Sequence, residues 1–201
     1  MTRRVAIAVL APPRWCPPGI DPVAWRLALA EDVLDVLGLM AEVDPALAVL
    51  DGDDPGELGW PGLRRYVLSS LDLRAVLAAA AGDGYDQAAL VPADAPDLPG
   101  IMIAKLLRPL TSRPVAAAGA TGSDSLIGLG SVLPAPVWLP AAGLDQVTPQ
   151  SLRRLAPQVT DVAPANGWHR LLGPDDLARL DLRLEGWEAT RALLAGRTAL
   201  T

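Results

Sequence analysis

The sequence predicts an α/β domain with a mostly parallel sheet and helices on both faces. Two short apolar runs, residues 5–10 and 87–91, contain no charge and have the pattern of strands buried on both sides. Segments of ten or more residues with helical spacing lie between the strand-like runs, and such alternation implies βαβ units. Composition agrees: 51% of the residues are apolar but only 4% are aromatic and Phe is absent, so helix formers outweigh strand formers. At 201 residues a single domain spanning 1–201 is expected.

The first strand, 5–10, is closed by Pro12 and Pro13. Val23, Leu27, Ala30, Leu34, Leu37 and Ala41 then recur at alternating spacings of four and three, one stripe of a helix entered after Pro22. Residues 46–50 read as a strand and 51–62 as an acidic loop rich in Gly and Pro, followed by an Ala-rich helix over 71–81. After the turn at Gly82, Asp83 and Gly84 comes the strand 87–91, and Ile103, Leu106, Leu107 and Leu110 mark a helix after Pro99. Strands are expected at 114–118, 126–129 and 159–163, a short helix at 148–155, and a helical tail over 174–195 interrupted by Gly186. The Pro-rich stretch 134–140 is a loop.

Several function classes are disfavoured. The net charge is −6 and the basic residues are dispersed, so the basic patch needed for nucleic acid or an anionic membrane surface is missing. A single cysteine, Cys16, rules out an internal disulfide framework and a four-thiolate metal site, which makes a reducing, cytoplasmic location the default. Arg3, Arg4 and the apolar run 5–11 superficially resemble an export signal. No small-residue cleavage site follows, however, and Pro12, Pro13, Arg14 and Trp15 fit a buried strand and its loop better. Nowhere do about 18 apolar residues run together, as a membrane span requires.

In parallel sheets ligands bind beyond the carboxyl ends of the strands, which directs attention to the loops 11–19, 92–99 and 117–125. The second holds Asp94 and Asp97 directly after a buried strand. Mg²⁺ bound to substrate phosphates takes one or two carboxylates in such a place. A structural alternative has Asp97 capping the next helix and Asp94 setting the turn. Cys16 and His169, the only residues of their kinds, both fall near strand ends, where a thiolate–imidazole pair could form; an incidental cysteine beside Trp15 and Pro17 is the plainer reading. Gly119, Ala120, Thr121, Gly122 and Ser123 form a glycine-containing loop without the Lys-Ser/Thr of a phosphate-binding P-loop.

Ala93, Asp94, Ala95, Pro96, Asp97 and Leu98 resemble the metal-binding Gly-Thr-Asp-Cys-Pro-Asp-Leu loop of the GT-A class of nucleotide-diphospho-sugar transferases. The chain looks most similar to an uncharacterised bacterial glycosyltransferase-like family related to the guanylyltransferases of molybdenum-cofactor and 2-phospholactate metabolism. Leu126, Ile127, Gly128 and Leu129 match the strand after the family's Asp-Gly-Gly-Tyr loop; Gly167, Trp168, Pro174, Asp176 and Leu177 match its late Gly-Trp segment. The resemblance spans nearly the whole chain. It implies a three-layer, Rossmann-like GT-A fold and binding of a nucleotide or nucleotide-sugar with Mg²⁺ or Mn²⁺. By position, Asp94 and Asp97 become the metal residues, and Ala11, Pro12, Arg14, Gly122 and Arg170 the nucleotide-binding ones.

Departures from the family pattern fall on its charged machinery. Leu10 stands where the family's first loop has Lys, Thr121, Gly122, Ser123 and Asp124 replace Asp-Gly-Gly-Tyr, and Arg170 and Leu172 replace two aspartates. Losing a phosphate-neutralising Lys and the late metal carboxylate together removes both sides of the electrostatic apparatus of transfer. Weak metal affinity in the absence of nucleotide is therefore expected. For Arg170 the simpler expectation is an ion pair with Asp94 that closes the site; the alternative is that it supplies the positive charge a metal would have supplied. The functional expectation is a transferase-like protein that binds a nucleotide or nucleotide-sugar, with a non-catalytic binding or scaffold subunit as the alternative. No catalytic residue is assigned.

Overall fold

The computed structural model describes residues 2–181 and 183–198. Seven strands, β1 (Arg4–Val9), β2 (Asp44–Leu50), β3 (Arg64–Leu68), β4 (Gln87–Pro92), β5 (Val115–Gly119), β6 (Leu126–Val132) and β7 (Val162–Pro164), form one sheet in the order β3-β2-β1-β4-β6-β5-β7. All pairings are parallel except those of β6, which runs antiparallel to both β4 and β5. As expected, the two unbroken apolar runs are central neighbours, with Ile7 opposite Leu90. The chain grows outward from β1 to β3, then restarts on the other side at β4. The crevice at this reversal of strand order lies between the loops after β1 and β4.

Five helices, α1 (Pro22–Gly38), α2 (Leu73–Gly82), α3 (Gly100–Leu107), α4 (Pro149–Leu155) and α5 (Glu188–Thr198), accompany the sheet. Alternation along the strands explains the layers. In β1, Ala6 and Ala8 meet the apolar stripes of α1 and α3, whereas Val5, Ile7 and Val9 point to the opposite face and meet α2 and α4. The first face is built from small residues, and α3 lies nearly on the backbone of β6: a Cβ at Gly130 would stand 2.3 Å from the Leu106 carbonyl oxygen. Helix starts follow the sequence signals. Asp21 accepts from Ala24 N at 2.8 Å, with Pro22 opening α1, and Asp72 accepts from Ala75 N at 2.9 Å to cap α2.

One strand was not foreseen and two expectations need correction. Strand β3 was hidden because it is an edge strand in which only Tyr66 is buried, so Arg64 to Leu68 shows no apolar run. The expected strand 159–163 divides into a 3-10 turn, Val159–Asp161, and the short β7, because the Asp161 carboxylate folds back onto Gln158 N at 3.1 Å. The expected helical tail is a 3-10 turn at Pro174–Arg179, an irregular stretch, and α5. Tertiary packing overrides helix propensity there: Trp187, Leu180 and Leu171 join Trp25 and Leu29 in a separate apolar cluster against α1. Asp32 of α1 accepts from Ala189 N and Thr190 N, both at 2.9 Å, and so caps α5 from another helix. No helix among the described residues is long and apolar enough to cross a membrane.

Candidate functional site

A cavity of about 510 Å³ opens at the carboxyl ends of β1, β2 and β4, with Ala11, Pro12, Arg14, Asp72, Asp145 and Arg170 on its wall. Its first loop is fixed from α1. Arg26 donates to the carbonyls of Leu10 at 2.7 Å and Ala11 at 3.2 Å, and grips Asp53 with both terminal nitrogens. That guanidinium holds the Asp53 carboxyl below the usual carboxylate range. Farther along, Trp25 donates to the Trp15 carbonyl at 3.0 Å, and the two rings meet edge to face. Leu10 is fully buried in the core. Its side chain offers nothing to a phosphate.

At the end of β4 the Asp94 carboxylate meets a two-pronged fork: Arg170 Nε and Nη2 each donate to one of its oxygens at 2.6 Å. The Leu171 N–H also donates to the Asp94 carbonyl at 2.9 Å. Arg170 Nη1 points the other way, to Asp145, with Ser125 Oγ at 3.5 Å. The second Asp145 oxygen lies 3.4 Å from Arg14 Nε. Exposure is lowest at Arg170, whose side chain is 3% exposed, and higher to either side: Asp94 13%, Asp145 26% and Arg14 49%. Burial by itself would push the Arg170 guanidinium down, but Asp94 and then Asp145 outweigh it, so its pKa is raised and it stays charged. Two arginines and two aspartates leave the ladder formally neutral.

Arg170 reaches this position because residues 165–171 run beside β5. Ala165 N donates to Ala117 O at 3.0 Å and Thr121 N to Trp168 O at 2.7 Å. Gly167 permits the approach, since a Cβ there would stand 2.7 Å from the Gly119 carbonyl oxygen.

The structure therefore gathers Ala11, Pro12, Arg14 and Arg170 around one cavity, with Asp94 gripping Arg170 from behind. Asp97 and Gly122 are placed elsewhere. The Asp97 side chain is wholly buried, accepts from Trp168 Nε1 and Asp181 N at 3.2 Å each, and has His169 Nε2 at 3.0 Å, off the line of a hydrogen bond. It ties the β4 loop to the late segment, and it does not cap α3, whose preceding residue is Pro99 without a side-chain cap. Gly122 sits in the β5–β6 turn beneath Arg179, which donates to the Thr121 carbonyl at 2.8 Å. No thiolate–imidazole pair forms: Cys16 Sγ lies 3.4 Å from the Ile20 carbonyl, and burial, with Asp21 adding to it, pushes the thiol pKa up.

These positions do not suit a divalent metal. Both oxygens of Asp94 are held by Arg170, Asp97 is enclosed by other donors, and Leu172 has no ligand atom in its side chain. Among the described residues no group of three or more His, Cys, Asp or Glu side chains is placed to hold a metal. Sequence reasoning missed Arg26, Asp53 and Asp145. The first two are partners 27 positions apart, and Asp145 stands in a loop that carries no motif.

No protein-family model and no curated protein matches this sequence. Solved structures do resemble it. A protein from Desulfovibrio desulfuricans G20 described as a nucleotide-diphospho-sugar transferase superposes with a TM-score of 0.65 at 18% identity, over 100% of this chain and 97% of that one. The 4-diphosphocytidyl-2C-methyl-D-erythritol synthase of Anaerococcus prevotii gives 0.58 at 11% identity, over 96% of each chain. Glucosyl-3-phosphoglycerate synthase of Mycobacterium tuberculosis, solved with Mn²⁺, UDP-glucose and phosphoglyceric acid, gives 0.57 at 15% identity, over 98% of this chain and 80% of that one. Sheet order, helix placement and these likenesses agree: the chain has the Rossmann-like α/β fold of the GT-A nucleotide-diphospho-sugar transferases.

Proposed function

We propose that this chain binds a nucleotide or nucleotide-sugar in the cavity at the carboxyl ends of β1, β2 and β4, and that it does so without a divalent metal. The observation that carries this reading is the Arg170 fork on both oxygens of Asp94. A carboxylate that would bind a cation is here turned to holding a guanidinium, and it takes only the inner edge of that guanidinium, the outer edge being met by Asp145. Its Nη1 edge remains on the cavity side with Arg14, the geometry of a phosphate-binding arginine pair. The M. tuberculosis enzyme, whose structure contains UDP-glucose and Mn²⁺, supports the ligand class, since the fold is shared. In this reading the charge is supplied by side chains, and metal-dependent transfer is not the activity of the chain.

The test is calorimetric titration with UDP, UDP-glucose, CTP and GTP, in Mg²⁺ and again in chelator. At least one nucleotide should bind equally in both. Binding that appears only with metal, or metal-dependent turnover of a nucleotide-sugar, would overturn the reading. The neutral Arg14–Asp145–Arg170–Asp94 ladder favours one other reading, a non-catalytic scaffold subunit with a closed pocket. That outcome would show as no binding across the whole panel.

A further inference from the structure

Arg170 has two chemically distinct edges. The inner one, Nε and Nη2, faces Asp94 in paired bonds of 2.6 Å, and Asp94 is further tied by its carbonyl to Leu171 N. The outer one, Nη1, faces the cavity, where its partner is the Asp145 carboxylate. Asp145 belongs to a three-residue 3-10 turn, Leu144–Gln146, introduced by Gly143 and closed by the Gln146 side chain accepting from Gly143 N at 3.0 Å. Its carboxylate thus bridges Arg170 and Arg14, the two cationic side chains on the cavity wall. An anion held between two guanidinium groups, one buried and one half-exposed, has the coordination that a phosphate group would adopt there.

We infer that Asp145 is an internal anion that fills the phosphate seat of the empty cavity and is exchanged for a diphosphate group when ligand enters. This rests on the metal-free binding reading above and adds its regulation. Charge argues for exchange rather than addition. With Asp145 in place the ladder is neutral and an incoming diphosphate meets a carboxylate at contact distance; with the Asp145 side chain swung away, the ladder of Arg14, Arg170 and Asp94 keeps one net positive charge, while Asp72 on the wall is turned to Ser70 and the Ala75 N–H. Exposure agrees. Asp94, at 13%, sits behind the guanidinium, whereas the Asp145 side chain, at 26%, can swing outward while its turn stays seated on the buried Leu144 and Val147. The seat fits a nucleoside diphosphate or the diphosphate of a nucleotide-sugar, and its affinity is set by how firmly the turn holds Asp145 down.

The experiment titrates inorganic pyrophosphate, and separately UDP, into wild type, Asp145→Asn and the double variant Arg14→Gln/Asp145→Asn, all in chelator. Asp145→Asn should bind pyrophosphate about tenfold more tightly than wild type, the effect of removing one competing charge-assisted hydrogen bond. Adding Arg14→Gln should abolish the gain. Carbon-13 NMR on the wild type gives a second readout that needs no variant: the Asp145 side-chain carboxyl resonance should move at saturating pyrophosphate. Equal or weaker binding by Asp145→Asn, a gain that survives Arg14→Gln, or an unmoved Asp145 carboxyl resonance would overturn the inference. If pyrophosphate follows the expected pattern while no nucleotide binds, the exchange stands and the nucleotide reading fails. If UDP binds wild type and Asp145→Asn alike, the reverse holds.

Discussion

Two arginines, Arg26 beneath the β1 loop and Arg170 on the cavity wall, differ in what answers their donors. Arg26, on α1, donates to the Leu10 and Ala11 carbonyls of the β1 loop and to the Asp53 carboxylate. Arg170 is satisfied on its inner edge by Asp94, but on its outer edge by a carboxylate carried on a surface turn. The first arginine is a clasp that shapes the β1 loop. The second is an anchored cation whose free edge is covered by its own chain. A guanidinium near a phosphate-shaped cavity is therefore not by itself a binding group; what matters is whether its partner on the cavity side can be displaced.

The largest expected effect separates the two arginines. Arg170→Ala leaves Asp94 charged, mostly buried and without its fork, and breaking such a pair costs about 3–5 kcal/mol. Arg26→Ala leaves Asp53 more open to water and should cost about 1–3 kcal/mol, the range for a lost hydrogen-bonded partner. Urea denaturation of both variants measures the difference. The double change Arg170→Met/Asp94→Leu removes the stranded charge and should recover most of the loss. Equal costs for Arg170→Ala and Arg26→Ala would erase the contrast between clasp and anchor.

A second comparison involves carboxylates. Asp53 faces a guanidinium and is held low, whereas Asp32, which caps α5, is pushed up to about 6 by burial, with Asp35 adding to it. Dipoles from two N–H groups do not offset the loss of water as a full charge does. Folded Asp32 keeps its proton up to about pH 6, the unfolded chain only to about 4, so between these values the folded state binds protons preferentially. Stability from this group is greatest near pH 4 and falls as pH rises to 6, by on the order of 3 kcal/mol. Asp53 acts in the opposite sense and outside this window, losing its contribution only as pH falls below about 4. Chemical denaturation at pH 5 and pH 7 should find the protein more stable at pH 5, and Asp32→Asn should flatten the difference. An unchanged difference in the variant would remove Asp32 as its source.

The same contrast between local and long-range partners explains what the sequence disclosed. The central strands, α1, α2 and the loop after β4 were legible because their signals are local: unbroken apolar runs, an apolar stripe entered after Pro22, Asp94 directly after a strand. The pairing of Arg170 with Asp94 was also legible, because the resemblance aligned an arginine with a lost aspartate. Strand β3 was not, since an edge strand needs only one buried residue, Tyr66. Nor was the division of labour between Asp94 and Asp97. Three residues apart in sequence, they face different partners, because the loop turns between them and Trp168 and Asp181 enclose the second. Asp145 had no signal at all, as its meaning arises only when the β6–α4 connection folds over Arg170.

The smallest expected effect is a null heat, and it tests whether Arg170 has taken over the work of a cation. Mg²⁺ takes near-octahedral oxygen coordination and gives up its water reluctantly, so it needs at least one carboxylate with free lone pairs. Asp94 presents both oxygens to Arg170 at 2.6 Å, and a cation approaching them would meet a buried guanidinium before any oxygen. Titrating Mg²⁺ or Mn²⁺ into the wild-type protein without nucleotide should give heats no larger than dilution. In the Arg170→Ala variant the Asp94 oxygens are released, and weak metal binding should appear if the variant folds. Should it unfold, the wild-type titration still decides: saturable, tight metal binding there would mean that the fork opens for a cation, and that Arg170 is not fixed to Asp94 as an anchor.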